Sequence, residues 1–249
     1  MASVAPPVPE PAALSEFERI LDTFIAPGKT FTDLRRSAAW WGPFLLLAIF
    51  SYAFVYVVDQ KIGFRKVVDN QIQLSPKQAD RLEQMPPADR EKQLTVQTTW
   101  TRNISYGYPV VILLWNAVIA AILLATFKFG AGANIKYKAA FAIVMYASLP
   151  FLVRSLLAMV SVAAGAAADS FTFQNPVATN PGYFLNPADG HFLYSIATAL
   201  DIFMIWTLSL TAIGFSCNSK VKRSTAMAIV FGWFALFALA SSALSAAFS

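Results

Sequence analysis

Five long apolar stretches, separated by polar or turn-rich segments, set the pattern along this chain. Residues 37–58 carry no charged side chain over 22 positions. That is about 33 Å of helix at 1.5 Å per residue, enough to cross a bilayer core. Trp40 and Trp41 stand at its start, where interfacial aromatics belong. Residues 103–127 form a second uncharged run, with Tyr106 and Tyr108 near its beginning. A third covers 139–168 and is interrupted only by Arg154, with Pro150 expected to kink it. The fourth, 192–216, contains Asp201. The fifth, 225–248, is rich in Ala and Ser, and the pairs Ala238/Ser242 and Ser241/Ser245 permit close helix packing. The pattern predicts an all-α fold, a polytopic integral membrane helical bundle with five transmembrane helices at about 38–58, 105–127, 139–166, 192–216 and 225–248.

The intervening segments have characters of their own. Residues 1–13 hold four of the fourteen prolines and are expected to be a disordered tail. Residues 14–36 predict a cytoplasmic amphipathic or interfacial helix region. Ser15 and Glu18 have capping-box spacing, and Leu14, Phe17, Ile20, Leu21, Phe24 and Ile25 share one face. Pro27-Gly28 stops this helix. Its polar face sets Glu16, Glu18 and Asp22 against Arg19, the wrong sign for attraction to anionic lipid. Packing on the protein's own spans is the expected role, with the bilayer edge as the alternative.

Residues 59–102 carry eight Lys/Arg and six Asp/Glu. Ser75-Pro76 reads as a helix start, Met85-Pro86-Pro87 as a break, and 88–101 as helix again. The segment is expected to be a helical hairpin outside the membrane. Residues 169–191 lack Lys and Arg, and their repeated Asn-Pro turn signals predict an irregular loop.

Composition narrows the function. Charged residues make up 13% of the chain and hydrophobic residues 57%, which fits membrane spans rather than one large soluble core. The net charge of +5 is not gathered into a basic stripe with interleaved aromatics, so nucleic acid is not an expected partner. The single cysteine, Cys217, forms no internal disulfide or metal cluster. No apolar h-region precedes the first run, so the first span is expected to direct insertion.

Positive charge near span ends orients the chain. Arg19, Lys29, Arg35 and Arg36, then Lys128, Lys136 and Lys138, then Lys220, Lys222 and Arg223 fall on one side. The eight basic residues of 59–102 fall on the other, against these ten. The three consistent segments predict a cytoplasmic N-terminus and an outside C-terminus.

Two stretches resemble a known family. Phe24-Ile25-Ala26-Pro27-Gly28-Lys29-Thr30-Phe31, followed by Trp40-Trp41-Gly42-Pro43, is similar to the approach to the first span in bacterial members of the YIP family. Asp201-Ile202-Phe203-Met204-Ile205-Trp206, then Leu210 and Gly214, resembles that family's penultimate span. The resemblance covers roughly residues 17–248 and implies five spans, a cytoplasmic N-terminus and the bacterial inner membrane. Eukaryotic members are named for interacting with Ypt/Rab GTPases. They lack the polar segment at 59–102, so GTPase binding is not carried over to this chain.

Ionisable groups inside spans cost about 2.5 to 3.5 kcal/mol at a helix centre, which makes Arg154 and Asp201 the candidate polar pair. Each lies 15 residues, about 22 Å, from the predicted cytoplasmic end of its span, so antiparallel neighbours bring them to matching depth. Tyr194, Thr198 and Asp201 are expected to share a polar face of the fourth span. The pair serves either to fix helix register or to form a water-accessible site for an ion, proton or headgroup. His191, the single histidine, sits beside Asp189 at a span end and reads as an interfacial polar residue, and Asn116 reads as interhelical glue. No metal-ligand spacing, phosphate-binding glycine loop or nucleophile motif appears, and Gly130-Ala131-Gly132 is a turn. No catalytic, cofactor-binding or metal residues are therefore assigned. The expected role is a membrane-organising or partner-binding scaffold, with the bilayer, a second copy or other membrane proteins as partners. The alternative is a small transporter or channel-like protein using Arg154 and Asp201.

Overall fold

Short capped helices lead into the first span. The computed structural model describes residues 13–165, 168–187 and 190–248, so the expected tail at 1–13 lies almost wholly outside the described residues. Helix α1 (Glu16–Ile25) begins with the expected capping box: the Glu18 amide donates to Ser15 Oγ at 3.2 Å, and the Ser15 amide donates to Glu18 Oε2 at 2.7 Å. Ala26 breaks the helix, and Pro27 opens α2 (Pro27–Asp33) at a position that needs no amide hydrogen. Helix α3 (Trp41–Lys61) is the first long apolar helix.

Gly63, with φ of +80°, turns the chain from α3 into α4 (Phe64–Gln73). Helix α5 (Pro76–Glu83) follows, and α6 (Pro87–Ala125) then runs for 39 residues, about 58 Å, before ending in a π-helical turn at Thr126–Gly130. The polar segment is thus three helices, the last continuous with a long apolar helix. The third apolar run divides into α7 (Tyr137–Ala147) and α8 (Pro150–Ala163), with Pro150 in the first turn of α8. The fourth divides into α9 (His191–Ala199) and α10 (Ile202–Cys217), and the last helix is α11 (Arg223–Phe248).

The fold is all-helical, with no strand among the described residues. Four helical stretches are long and apolar enough to cross a membrane by themselves: α3, α6, α7 with α8, and α11. Helices α9 and α10 qualify only together and are bent by 53° at their junction, giving four spans, or five if the pair counts as one. The fourth run is thus two helices joined at a bend, so Asp201 does not continue the face of Tyr194 and Thr198. Asp201 lies at the break, where its carboxylate caps α10 instead of projecting from mid-helix.

Helix α7 is the centre of the bundle, with residues 140–147 all buried. It packs on α6 and α10, while α3 lies against α8 and α6, and α11 against α9 and α10. Phe127 and Phe215 stack at 4.4 Å in this core. Gly214 lets α10 approach α7 and α2: a Cβ there would run into Ile143 Cγ2 and stand 2.9 Å from Phe31 Cδ1. At one end of the bundle, Arg35 donates to the Cys217 carbonyl and Asn218 Nδ2 donates to the Phe31 carbonyl at 2.7 Å. Lys220, Lys222 and Arg223 follow directly in the chain, and this is called the basic end below.

Candidate functional site

The opposite end is organised by the loop at 168–187, which folds inward and buries Phe171, Thr172, Asn175 and Asn180. Asparagine amides substitute for the hydrogen bonds that helix or sheet would have supplied. Asn180 Nδ2 donates to Asn175 Oδ1 at 2.8 Å, and Asn180 Oδ1 accepts from the Tyr183 amide at 3.0 Å. The same contact caps a 3₁₀ turn at Pro181–Phe184. Gly182 in that turn lies so close to α9 that a Cβ would fall 2.6 Å from the Thr198 backbone nitrogen. Phe171 and Phe173 meet Phe54 edge-on at 6.3 and 5.9 Å, fastening the loop to α3.

This loop closes over the two candidate residues, which the structure brings together. Arg154 Nε of α8 lies 3.4 Å from Asp201 Oδ2, and Arg154 Nη2 donates to the Gln174 carbonyl at 3.3 Å. Asp201 is 5% exposed and has further donors. Thr179 Oγ1 donates to its Oδ2 at 2.5 Å, and the amides of Phe203 and Met204 donate to Oδ1 at 2.9 and 3.4 Å. The Ile202 amide also donates to the Thr179 carbonyl at 3.1 Å. Asp201 thus compensates three things at once: a guanidinium, a loop hydroxyl and the positive end of α10. Arg154 Nε is buried without a hydrogen bond of its own, so charge proximity rather than bond geometry joins it to the carboxylate.

Thr198, expected to share a polar face with Asp201, is on the far side of the 53° bend, and its buried Oγ1 has no hydrogen-bond partner. His191 and Tyr194 line a different feature, a polar cavity of about 270 Å³ that also touches Gln71, Gln78 and Gln174. Asp189 lies outside the described residues. Asn116 does bridge helices, its Nδ2 lying 3.3 Å from Ser148 Oγ. Among the described residues no group of three or more His, Cys, Asp or Glu is placed to hold a metal ion.

A second charged cluster was not visible in the sequence. Arg19 of α1 is 3% exposed, and its Nη1 and Nη2 pair with Glu16 Oε1 at 2.9 Å and Asp33 Oδ2 at 2.5 Å. Tyr146 of α7 donates to Glu16 Oε2 at 2.6 Å. The Arg19 carbonyl accepts from Thr23 and Thr30 hydroxyls at 2.7 and 2.8 Å. Helix α1 packs on α2, α3 and α7, turning Glu16, Arg19, Ile20, Thr23 and Phe24 inward. The rest of its apolar stripe, Phe17, Leu21 and Ile25, points away, at 73%, 50% and 72% exposure. Sequence pattern gives the two faces of such a helix but not which one meets protein.

No curated protein and no solved structure matches the chain. The family model of the Yip1 domain matches residues 21–244, from the middle of α1 to the last turns of α11. With several helices long and apolar enough to cross a bilayer and a match over most of its length, the chain belongs to the Yip1 domain family and is a multi-pass membrane protein.

Proposed function

We propose that this protein is a non-catalytic scaffold that organises membrane or holds membrane-protein partners, a second copy included. In this reading it crosses a bacterial inner membrane five times, with α9 and α10 as one bent span, the N-terminus in the cytoplasm and the C-terminus outside. The observation that carries the reading is the closure around Asp201. A carboxylate that serves as a transport site needs contact with water or cargo, whereas this one is buried and engaged by Thr179, two backbone amides and Arg154. Its work is to hold the loop, α8 and α10 in register.

The small transporter or channel reading keeps one specific observation in its favour. Broken helices with a charge at the break are a recurrent way of building an intramembrane binding site, and Asp201 sits at such a break. Reconstitution separates the two readings. Proteoliposomes loaded with a pH dye are expected to leak protons, sodium and potassium no faster than protein-free vesicles. Flux above that background that disappears in Asp201→Asn would replace the scaffold with the transporter. For the topology, an impermeant thiol reagent applied from outside, in a Cys217→Ser background, should label Ala178→Cys and spare Gly132→Cys; both positions are exposed. The reverse pattern inverts the orientation.

A further inference from the structure

A helix that docks onto a protein from water buries its apolar face and leaves its polar face wet. Helix α1 departs from this, although Ile20 and Phe24 do pack inward. Arg19 and Thr23 are buried beneath it, Glu16 points to Tyr146, and the stripe Phe17, Leu21, Ile25 at i, i+4 and i+8 faces outward. In water this arrangement would bury charge while exposing three large apolar side chains, two unfavourable choices at once. Against hydrocarbon both choices are favourable.

Position agrees with this. Phe24 meets Trp206 of α10 edge-on at 5.7 Å. Trp206 lies eleven residues before the end of α10 at Cys217, about 16 Å up the helix from the basic end. Glu16 reaches Tyr146, nine residues or about 13 Å into α7 from Tyr137. Helix α1 therefore sits alongside apolar stretches of the spans and not beyond their ends. Its outward stripe joins the outward surface of the bundle, where Trp206, Trp41 and Leu45 are also exposed. The charges that remain on α1 have local partners: the exposed Glu18 accepts from Ser15, and Asp22 is 3.5 Å from Lys29.

We infer that α1 is embedded in the leaflet at the basic end, with Phe17, Leu21 and Ile25 against lipid acyl chains and the Arg19–Glu16–Asp33 cluster as its protein-facing anchor. The chain then has an intramembrane helix that does not span, additional to its spans. The inference is independent of the scaffold reading, because it holds for a transporter equally.

Spin labels at Phe17→Cys, Leu21→Cys and Ile25→Cys test it, one at a time in a Cys217→Ser background in phosphatidylethanolamine and phosphatidylglycerol vesicles. Leu45→Cys serves as the span-surface reference and Lys29→Cys as the aqueous one. Oxygen collisions should exceed those of a water-soluble nickel chelate at all three positions, as at Leu45, with the order reversed at Lys29. Nickel access equal to that at Lys29 places the stripe in water and overturns the inference. Exclusion of both reagents places protein against the stripe, a second copy included, and also overturns it. The unmutated chain supplies the parallel measurement: photoactivatable acyl chains should label residues 17–25 as strongly as α3, and labelling confined to the long helices would count against embedding.

Discussion

Asn70 of α4 donates its side-chain amide to the carbonyls of Phe171 and Ala168, both at 3.0 Å, and so ties the polar helices after α3 to the loop that covers Asp201. The two residues are separated by about a hundred positions in the chain, and both are buried. Asn70→Leu should leave the buried Phe171 carbonyl and the part-buried Ala168 carbonyl without that donor, at a cost of about 1 to 3 kcal/mol. Thermal unfolding in mild detergent should fall, and protease sensitivity should rise first within 168–187. Unchanged protease sensitivity there would show that the loop is held without Asn70.

Removing either member of the Arg154–Asp201 pair should have unequal effects. Breaking a buried pair by removing one partner costs about 3 to 5 kcal/mol. Arg154→Leu leaves Asp201 with Thr179 and the α10 amides, so its effect should fall toward or below the lower figure. Asp201→Leu strands the guanidinium and also removes the α10 cap, adding about 1 kcal/mol. Asp201→Asn keeps an oxygen for the cap and should lie between. The double leucine variant should recover part of the loss, and a double-mutant cycle with no coupling would show that the 3.4 Å approach carries no energy.

Gly214→Ala should destabilise by about 1 to 3 kcal/mol through overpacking against Ile143 and Phe31. Gly28→Ala, where a Cβ meets nothing within 4 Å, is the control. Thermal midpoints of the two variants give the comparison, and equal values would remove close α10–α7 approach as a feature of the core.

The polar helices of 64–102 should loosen in acid. The Arg65 guanidinium holds the Glu91 carboxyl below the ordinary glutamate range, chiefly through a hydrogen bond, and Lys66 does the same for Asp169. A carboxyl with a depressed folded pKa adds stability above its ordinary pKa and loses it as pH falls through the folded value. Hydrogen exchange of α4 and the start of α6 should therefore be steady near neutrality and rise in strong acid, by a modest amount because both carboxylates are exposed. Arg65→Leu should flatten the response, and an unaltered response would assign it elsewhere.

Much of the architecture was legible because hydrophobic run length is a strong signal in a membrane chain. Pro76 marked a helix start, Met85-Pro86-Pro87 marked the break before the next helix, and Ser15 with Glu18 marked the first cap. The break at Leu200–Asp201 was not legible. Its neighbours are apolar and free of Pro and Gly, and the break depends on donors from Thr179 and the α10 amides that only the folded loop brings near. The juxtaposition of Arg154 with Asp201 followed from depth counting, since antiparallel neighbours convert sequence distance into height. The role of Asn175 and Asn180 did not follow, because Asn-Pro pairs announce turns without saying whether the turns are buried. For α1 the periodicity was correct, but which of its residues meet protein was not legible, since Arg19 gives no sign in sequence of its distant partner Asp33.

Helix α6 runs from the polar segment into the apolar run without a loop. Between Pro87 and Tyr106 it contains no glycine, so this polar stretch moves as one piece up to Gly107 and Pro109, where the helix can bend. About 24 Å of helix precedes residue 103, where the apolar run begins. A span changes its tilt when bilayer thickness changes, and a tilt of about 10° would sweep the Pro87 tip sideways by about 4 Å. The α4–α5 helices ride on that tip, and through Asn70 so does the loop over Asp201. A change in the tilt of the N-terminal part of α6 would therefore be carried through α4 to the loop over Asp201, with that part of α6 as the lever.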